Sequence, residues 1–159
     1  MKPLPASLWA AAPDLRDRPD LLALVEQAAA VRLLAYAPYS GFAVGAALLT
    51  STGRVSLGVN VENASYPVSC CAERSAVCGA VSAGERTFVA IAIVTDAEQP
   101  AAPCGLCRQV LCEFGLGLEV VLASVCGQVW RAKLAELLPA AFTPESFEPR
   151  PGRTGPGAG

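Results

Sequence analysis

Two short segments, Cys71-Ala-Glu73 and Pro103-Cys104-Gly-Leu-Cys107, constrain this chain more than any other feature. Three thiolates can hold a Zn2+ ion and leave its fourth coordination position open. A carboxylate two residues from one of them can then move protons at that position. An open position beside an acid/base group is the pattern of a hydrolytic metal site, whereas a structural site fills all four positions with protein ligands. The chain has no histidine, so the first ligand of such a site must be a cysteine. The same absence excludes a Ser-His-Asp triad, a His-Glu-x-x-His site and a His-paired cysteine nucleophile.

The 159 residues suit one domain with a substantial core. With 53% hydrophobic and 16% charged residues, either the interior is generous or an interface hides apolar surface. The net charge is −2 and no Lys/Arg cluster forms a basic stripe. That argues against a nucleic-acid backbone as partner and for a small substrate. Seven cysteines, an odd number, do not read as a disulfide framework. They fit a reducing compartment, with some thiols on metal and Cys70, Cys78, Cys112 and Cys126 left as structural, small apolar groups. The apolar stretch Leu8-Trp-Ala-Ala-Ala12, bracketed by Pro5 and Pro13, is too brief for a signal segment. No apolar run approaches the roughly 20 residues of a spanning helix, so the expectation is a soluble, cytoplasmic protein with no membrane partner.

Residues 1–16 read as an irregular N-terminal arm, 17–148 as a single domain, and 149–159 as a disordered Pro/Gly-rich tail. Asp17 as cap and Pro19 in the first turn start a helix whose apolar positions run from Leu21 to Leu34 and which ends before Pro38. Phe42–Thr50 and Val55–Val61 read as strands joined by a hairpin turn with Gly53 at the bend. Gly45 and Gly58 inside these runs point to close backbone approach or a bulge. A helix follows from Cys71 to Gly84, then a strand over Thr87–Thr95 whose continuous apolar character fits cover on both faces. Pro103 opens a second helix, Cys104 to Phe114, closed by Gly115. Leu118–Ala123 and Val129–Ala132 are short strands, and Leu134–Leu138 a final helical turn. The alternation predicts an α/β sandwich with helices on both faces, and two helix N-termini converging on the metal.

Convergence matters for charge. Zn2+ with three thiolates carries about −1, which weakens its hold on the charge of a bound water. Two helix N-termini, each worth roughly half a positive charge, offset this. Arg74 is the other source, through hydrogen bonds to the thiolate sulfurs; its plainer alternative is a surface ion-pair residue. Glu73 would carry protons from water to a ring nitrogen and then to a leaving amine. Its plainer alternative is complementing the helix dipole. For the cysteines the alternatives are core packing or a redox Cys-x-x-Cys pair. Cys71-x-Glu73 followed by Pro103-Cys-x-x-Cys107 instead matches the zinc deaminase signature.

The likeness then widens. The segments Ala35-Tyr-Ala-Pro-Tyr-Ser-Gly-Phe-Ala-Val-Gly-Ala-Ala-Leu48, Gly58-Val-Asn-Val-Glu-Asn-Ala-Ser-Tyr66, Cys71-Ala-Glu-Arg74, Pro103-Cys-Gly-Leu-Cys-Arg-Gln109 and Leu137-Leu-Pro-Ala-Ala-Phe-Thr-Pro144 stand in order. Over about residues 20–147 the chain resembles the small, homotetrameric cytidine deaminases. The resemblance implies a three-layer α/β/α sandwich with a central mixed sheet, one zinc per subunit, and hydrolysis of cytidine and 2′-deoxycytidine with release of ammonia in pyrimidine salvage. It implies that Cys71, Cys104 and Cys107 bind zinc and that Glu73 is the acid/base. Asn60 and Glu62 would bind the ribose hydroxyls; an Asn and a Glu at i and i+2 on a strand end point the same way. Phe42 would pack on the pyrimidine, Phe142 would reach it from a neighbouring subunit, and the Ala72 backbone would contact the base. Tyr66 would lie near the subunit contacts. Alone, either Phe would read as core, Asn60 as a turn residue and Tyr66 as a buried tyrosine. The longer arm and the tail depart from the family.

Three alternatives remain beside this. A blasticidin-type or other small aminoheterocycle deaminase is the nearest, and the Asn60-x-Glu62 pair argues against it. A polynucleotide deaminase conflicts with the charge balance. A binding module with a structural zinc would need a fourth protein ligand and would leave Glu73 without a purpose.

Overall fold

The computed structural model describes Leu4 and residues 8–146. The tail expected over 149–159 lies outside the described residues, as does most of 1–7. Helix α1 spans Pro19–Val31, with Leu21, Leu24, Val25, Ala28 and Ala29 buried at helical spacing. Fully burying a Leu or Val of this kind contributes roughly 1.5–3 kcal/mol. Arg18, not Asp17, is the N-cap residue, and no side chain caps the helix. Pro19 fixes the first turn, and the Arg18 guanidinium instead bridges Asp20 at 2.8 Å and Glu119 at 3.1 Å.

Strands β1 (Val44–Thr50) and β2 (Val55–Val59) form the expected hairpin. Helix α2 (Ala72–Ser82) is followed by β3 (Phe88–Thr95). Helix α3 (Gly105–Cys112) precedes β4 (Glu119–Ser124), β5 (Val129–Lys133) and the single turn α4 (Leu134–Leu137). Among the described residues the strands form one sheet in the order β2-β1-β3-β4-β5. Only β3 and β4 run parallel, with Ala90 opposite Glu119 and Thr95 opposite Ser124. The parallel step is the one that needs a crossover, and α3 supplies it.

Alternation along the strands divides the core in two. Ala46, Leu48, Ile91, Ile93, Val120 and Leu122 face α2, α3 and α4. Ala47, Ala90, Ala92, Val94, Val121 and Ala123 face α1. The mixed sheet with helices on both faces is the architecture the sequence predicts. The segment read as an irregular arm is also part of this packing. Trp9 and Leu15 are buried against the α1 face, and the Trp9 indole Nε1 donates to the Ser124 carbonyl at 3.0 Å. A buried indole N–H has to find such a partner. No described helix is long and apolar enough to cross a membrane.

Candidate active site

Gly58 decides where α2 begins. A Cβ at that position would collide with the Ala72 carbonyl and the Ala76 nitrogen, so only glycine lets β2 and the helix start come this close. Ser56 Oγ donates to the Ala76 carbonyl at 2.8 Å and fixes the same contact. Just before the helix, Val61 and Cys70 exchange both backbone hydrogen bonds at 2.9 Å. This bridge delivers Cys71 to the N-cap position of α2, with Glu73 in the first turn.

Cys104 occupies the same position on α3, and Cys107 lies in that helix's first turn. Arg108 holds the segment down, its Nε donating to the Pro103 carbonyl at 2.7 Å and its Nη1 to the Leu137 carbonyl at 2.8 Å. The two helix starts therefore converge as expected. The sulfurs of Cys71 and Cys104 are 3.9 Å apart, those of Cys104 and Cys107 3.5 Å, and all three lie within 4.8 Å of one another. Tetrahedral ligands at about 2.3 Å from zinc are separated by about 3.8 Å, so the donor set fits the ion.

The sulfurs of Cys71 and Cys107 perturb one another's protonation. A hydrogen bond from Cys107, aided by Arg74 and opposed by burial, draws the Cys71 thiol down to about 5. The Cys107 thiol is pushed up by that same bond and by burial. Arg74 Nη2 lies 3.9 Å from Cys71 Sγ and donates to the Ser69 carbonyl at 2.7 Å. Its reach is to one of the three sulfurs. Glu73 is 5% exposed, and burial is the main cause that lifts its carboxyl above the usual range. A carboxyl raised in this way holds a proton more readily than an ordinary glutamate, as an acid/base group requires.

Cys71, Ala72, Glu73 and Cys104 line a cavity of about 320 Å3. Phe42, Val44 and Ile93 supply apolar wall, and Ser40, Asn60 and Glu62 supply polar groups. The Phe42–Val44 wall is held by side chains. Asn60 Nδ2 donates to the Phe42 carbonyl at 2.8 Å, and Asn60 Oδ1 accepts the Val44 N–H at 2.9 Å. Ser40 Oγ accepts the Phe42 N–H at 3.0 Å. Asp96 Oδ2 accepts the Ala43 N–H at 3.3 Å. Glu62 Oε2 accepts the Tyr39 and Ser40 N–H groups at 2.9 and 3.2 Å. The Ser40 hydroxyl, and then these two N–H groups, hold the Glu62 carboxyl below the usual carboxylate range.

The fold thus brings Phe42, Asn60, Glu62, Cys71, Ala72, Glu73 and Cys104 around one cavity, with Cys107 completing the cluster. It does not bring Phe142 there: that side chain is exposed, and its carbonyl accepts from Gln109 Nε2 at 2.8 Å. Tyr66 is exposed rather than buried, edge-on to Tyr39 with ring centres 6.0 Å apart. Of the four remaining cysteines only Cys112 is buried. Cys78 and Cys126 are exposed, and Cys70 is half-buried in the cavity wall, its Sγ 3.6 Å from the Cys71 carbonyl. Sequence reasoning missed Ser40, Asp96 and Arg108. Ser40 lies in a quoted segment, where its place just before Gly41-Phe42 marks a turn able to bond the backbone two residues on.

Three cysteines and a buried carboxyl on converging helix starts, under a mixed sheet, define a zinc-dependent hydrolase. Residues 19–123 match the family described as the cytidine and deoxycytidylate deaminase zinc-binding region. A cytidine deaminase of Sporosarcina psychrophila is 46% identical over 129 residues, 80% of this chain and 95% of its own length. One of Halalkalibacterium halodurans is 47% identical over 125 residues, 78% of this chain and 95% of its own. The crystal structure of cytidine deaminase from Burkholderia pseudomallei superposes with a TM-score of 0.74 at 54% identity, covering 76% of this chain and 97% of that one. That of the Mycobacterium tuberculosis enzyme superposes with a TM-score of 0.69 at 41% identity, covering 77% and 97%. The chain belongs to the cytidine and deoxycytidylate deaminase family.

Proposed function

We propose that this chain hydrolyses cytidine and 2′-deoxycytidine to uridine and 2′-deoxyuridine with release of ammonia, using Cys71, Cys104 and Cys107 to hold zinc and Glu73 to move protons. The observation that carries this is the buried Glu73 carboxyl lining the same cavity as the cysteine cluster. Zinc, when bound, supplies the Lewis acid that makes water nucleophilic at neutral pH. Glu73 takes one proton from the attacking water and passes it to the pyrimidine ring nitrogen, then takes a second from the hydroxyl added to the ring and delivers it to the leaving amine. Burial supports this double duty, because it raises the carboxyl toward the pH at which it both accepts and donates. Arg74 donates toward the Cys71 sulfur and withdraws charge from the cluster.

Phe42 packs on the base, whose edge meets the Ala72 backbone. Glu62 and Asn60 take the sugar hydroxyls. An ionised carboxylate has about four acceptor sites, so Glu62 keeps capacity beyond its three protein donors. The partner is a free nucleoside and not a polynucleotide, in keeping with a net charge of −2.

The working form is a homotetramer with shared active sites, in which Phe142 enters the cavity of a neighbouring copy. Support comes from Leu34, Tyr36, Leu57, Tyr66, Val68, Leu106 and Phe142, all large apolar residues left exposed on the single chain. Seven cysteines without a disulfide support a reducing cytoplasm and a role in pyrimidine salvage there. The test is the ultraviolet change of cytidine on mixing with purified protein, with zinc, ammonia and particle mass measured on the same sample. Ammonia from blasticidin but not from cytidine would overturn the nucleoside assignment.

A further inference from the structure

We propose that Arg32 and Asp96 form a clamp that positions the substrate-facing wall Phe42–Val44, a role that rests on the deaminase reading of the cavity. Arg32 directly follows α1 and is 2% exposed, a rare place for a guanidinium. Its Nη1 pairs with Asp96 Oδ1. Asp96 follows the last residue of β3, and its other oxygen accepts the Ala43 N–H at 3.3 Å. Ala43 lies between Phe42 and Val44, both of which line the cavity. The Asn60 amide holds the Phe42 carbonyl and the Val44 N–H, Ser40 Oγ accepts the Phe42 N–H, and Asp96 ties the Ala43 N–H between them.

Gly45 shows how closely this corner is built. A Cβ there would collide with the Ala28 carbonyl and with the backbone nitrogen and Cβ of Arg32. The end of α1 therefore meets β1 beside the clamp at backbone contact. Arg32 is buried while Asp96 stays 26% exposed, and an ion pair of this kind adds little stability over a well-packed apolar pair. Orientation explains its presence better. Arg32 engages one oxygen of Asp96, which leaves the other facing the Ala43 N–H. Neither residue lines the cavity; both act through the backbone on the Phe42 ring. Packing of Phe42 on the base serves substrate and transition state alike, so its loss falls on KM more than on kcat.

Two paired variants test this in the zinc-loaded protein. Arg32→Met with Asp96→Leu removes both the charges and the acceptor for the Ala43 N–H. Arg32→Met with Asp96→Asn removes the charges but keeps an amide oxygen in place. The leucine pair should raise KM for cytidine about tenfold with kcat within about twofold, as expected when uniform binding is lost. The asparagine pair keeps the acceptor but loses the guanidinium that orients it, so its KM should rise about threefold, and a KM equal to the parent's would remove Arg32 from the clamp. An unchanged KM in the leucine pair, or an equal loss in both pairs, overturns the clamp. Should the pairs fail to fold, amide exchange on the unaltered protein decides. Ala43 lies outside β1, yet its amide should exchange as slowly as that of Ala46 within the strand. Exchange as fast as in the exposed turn at Ser51–Gly53 overturns the proposal. Absence of cytidine turnover in the parent would sink the deaminase reading and leave the exchange result standing.

Discussion

The Ser40 hydroxyl donates to Glu62 Oε1 at 2.5 Å, and its oxygen accepts the Phe42 N–H at 3.0 Å. One side chain therefore links the carboxylate proposed to bind the sugar to the ring proposed to bind the base. The bond also keeps Glu62 ionised into more acidic solution than an ordinary glutamate. The sign follows: a depressed carboxyl favours the folded form above the usual carboxylate range, and that help is lost as pH falls through the folded value. Ser40→Ala should raise KM for cytidine about fivefold near neutrality, the order of effect expected on losing one hydrogen bond. The rise in KM on acidification should also start at higher pH than in the parent. Superimposable KM–pH curves for the two proteins would refute the link.

Glu73→Gln replaces a buried carboxyl by an amide of the same shape. The protein should fold and bind zinc, because Glu73 lies outside the sulfur cluster. Turnover should fall by about 10³-fold or more, in line with the upper range for lost acid–base catalysis. Zinc stoichiometry, thermal unfolding and cytidine turnover on one preparation check this. Unfolding of the variant would point instead to a structural centre.

Arg74→Gln keeps a hydrogen-bond donor but removes the charge beside Cys71. We expect kcat to drop about tenfold, from the 10–100-fold typical of partners that tune a metal ligand, while zinc content stays near one per chain. Elemental analysis beside steady-state kinetics separates the two effects. Full activity in the variant would show that the helix termini alone offset the thiolate charge.

Metal removal should change which thiols react. Cys78 and Cys126 are exposed and outside the cluster, whereas Cys104 is exposed within it. Alkylation mapped by mass spectrometry should therefore label Cys78 and Cys126 at similar rates before and after chelation. Cys104 should be protected in the loaded protein and labelled in the stripped one. Equal labelling of Cys104 in both states would argue against its role as ligand.

Gly58→Ala should damage site and fold together. The added methyl meets the Ala72 carbonyl at the start of α2, and overpacking of this kind costs about 1–3 kcal/mol. A lower Tm with reduced zinc affinity is the expected result. A variant as stable as the parent would mean that β2 and α2 part more easily than their packing implies.

Most of the scaffold was legible because its signals are local. Short apolar runs gave β1, β3 and β4 to within two residues, and Cys71 and Cys104 stand where the two site helices begin. The three-cysteine cluster was legible for the same reason, as its members fall in two short motifs. What escaped depends on contacts between distant segments. Trp9 looked like part of a loose arm until its indole met Ser124, 115 residues away. Arg32 continues the buried face of Leu21, Val25 and Ala28 at helical spacing, but only the fold shows the Asp96 carboxylate that a guanidinium there meets. Phe142 could be assigned from sequence only through resemblance, and in the single chain it stays outside the cavity.

The β1–β2 hairpin separates chemistry from handle. Its Val44 end forms cavity wall, whereas the Ser51–Arg54 turn is exposed at the other end of a seven-residue strand, roughly 20 Å away. A fluorophore or affinity peptide grafted into that turn would travel with the enzyme and leave catalysis undisturbed, offering a tether for immobilised nucleoside conversion.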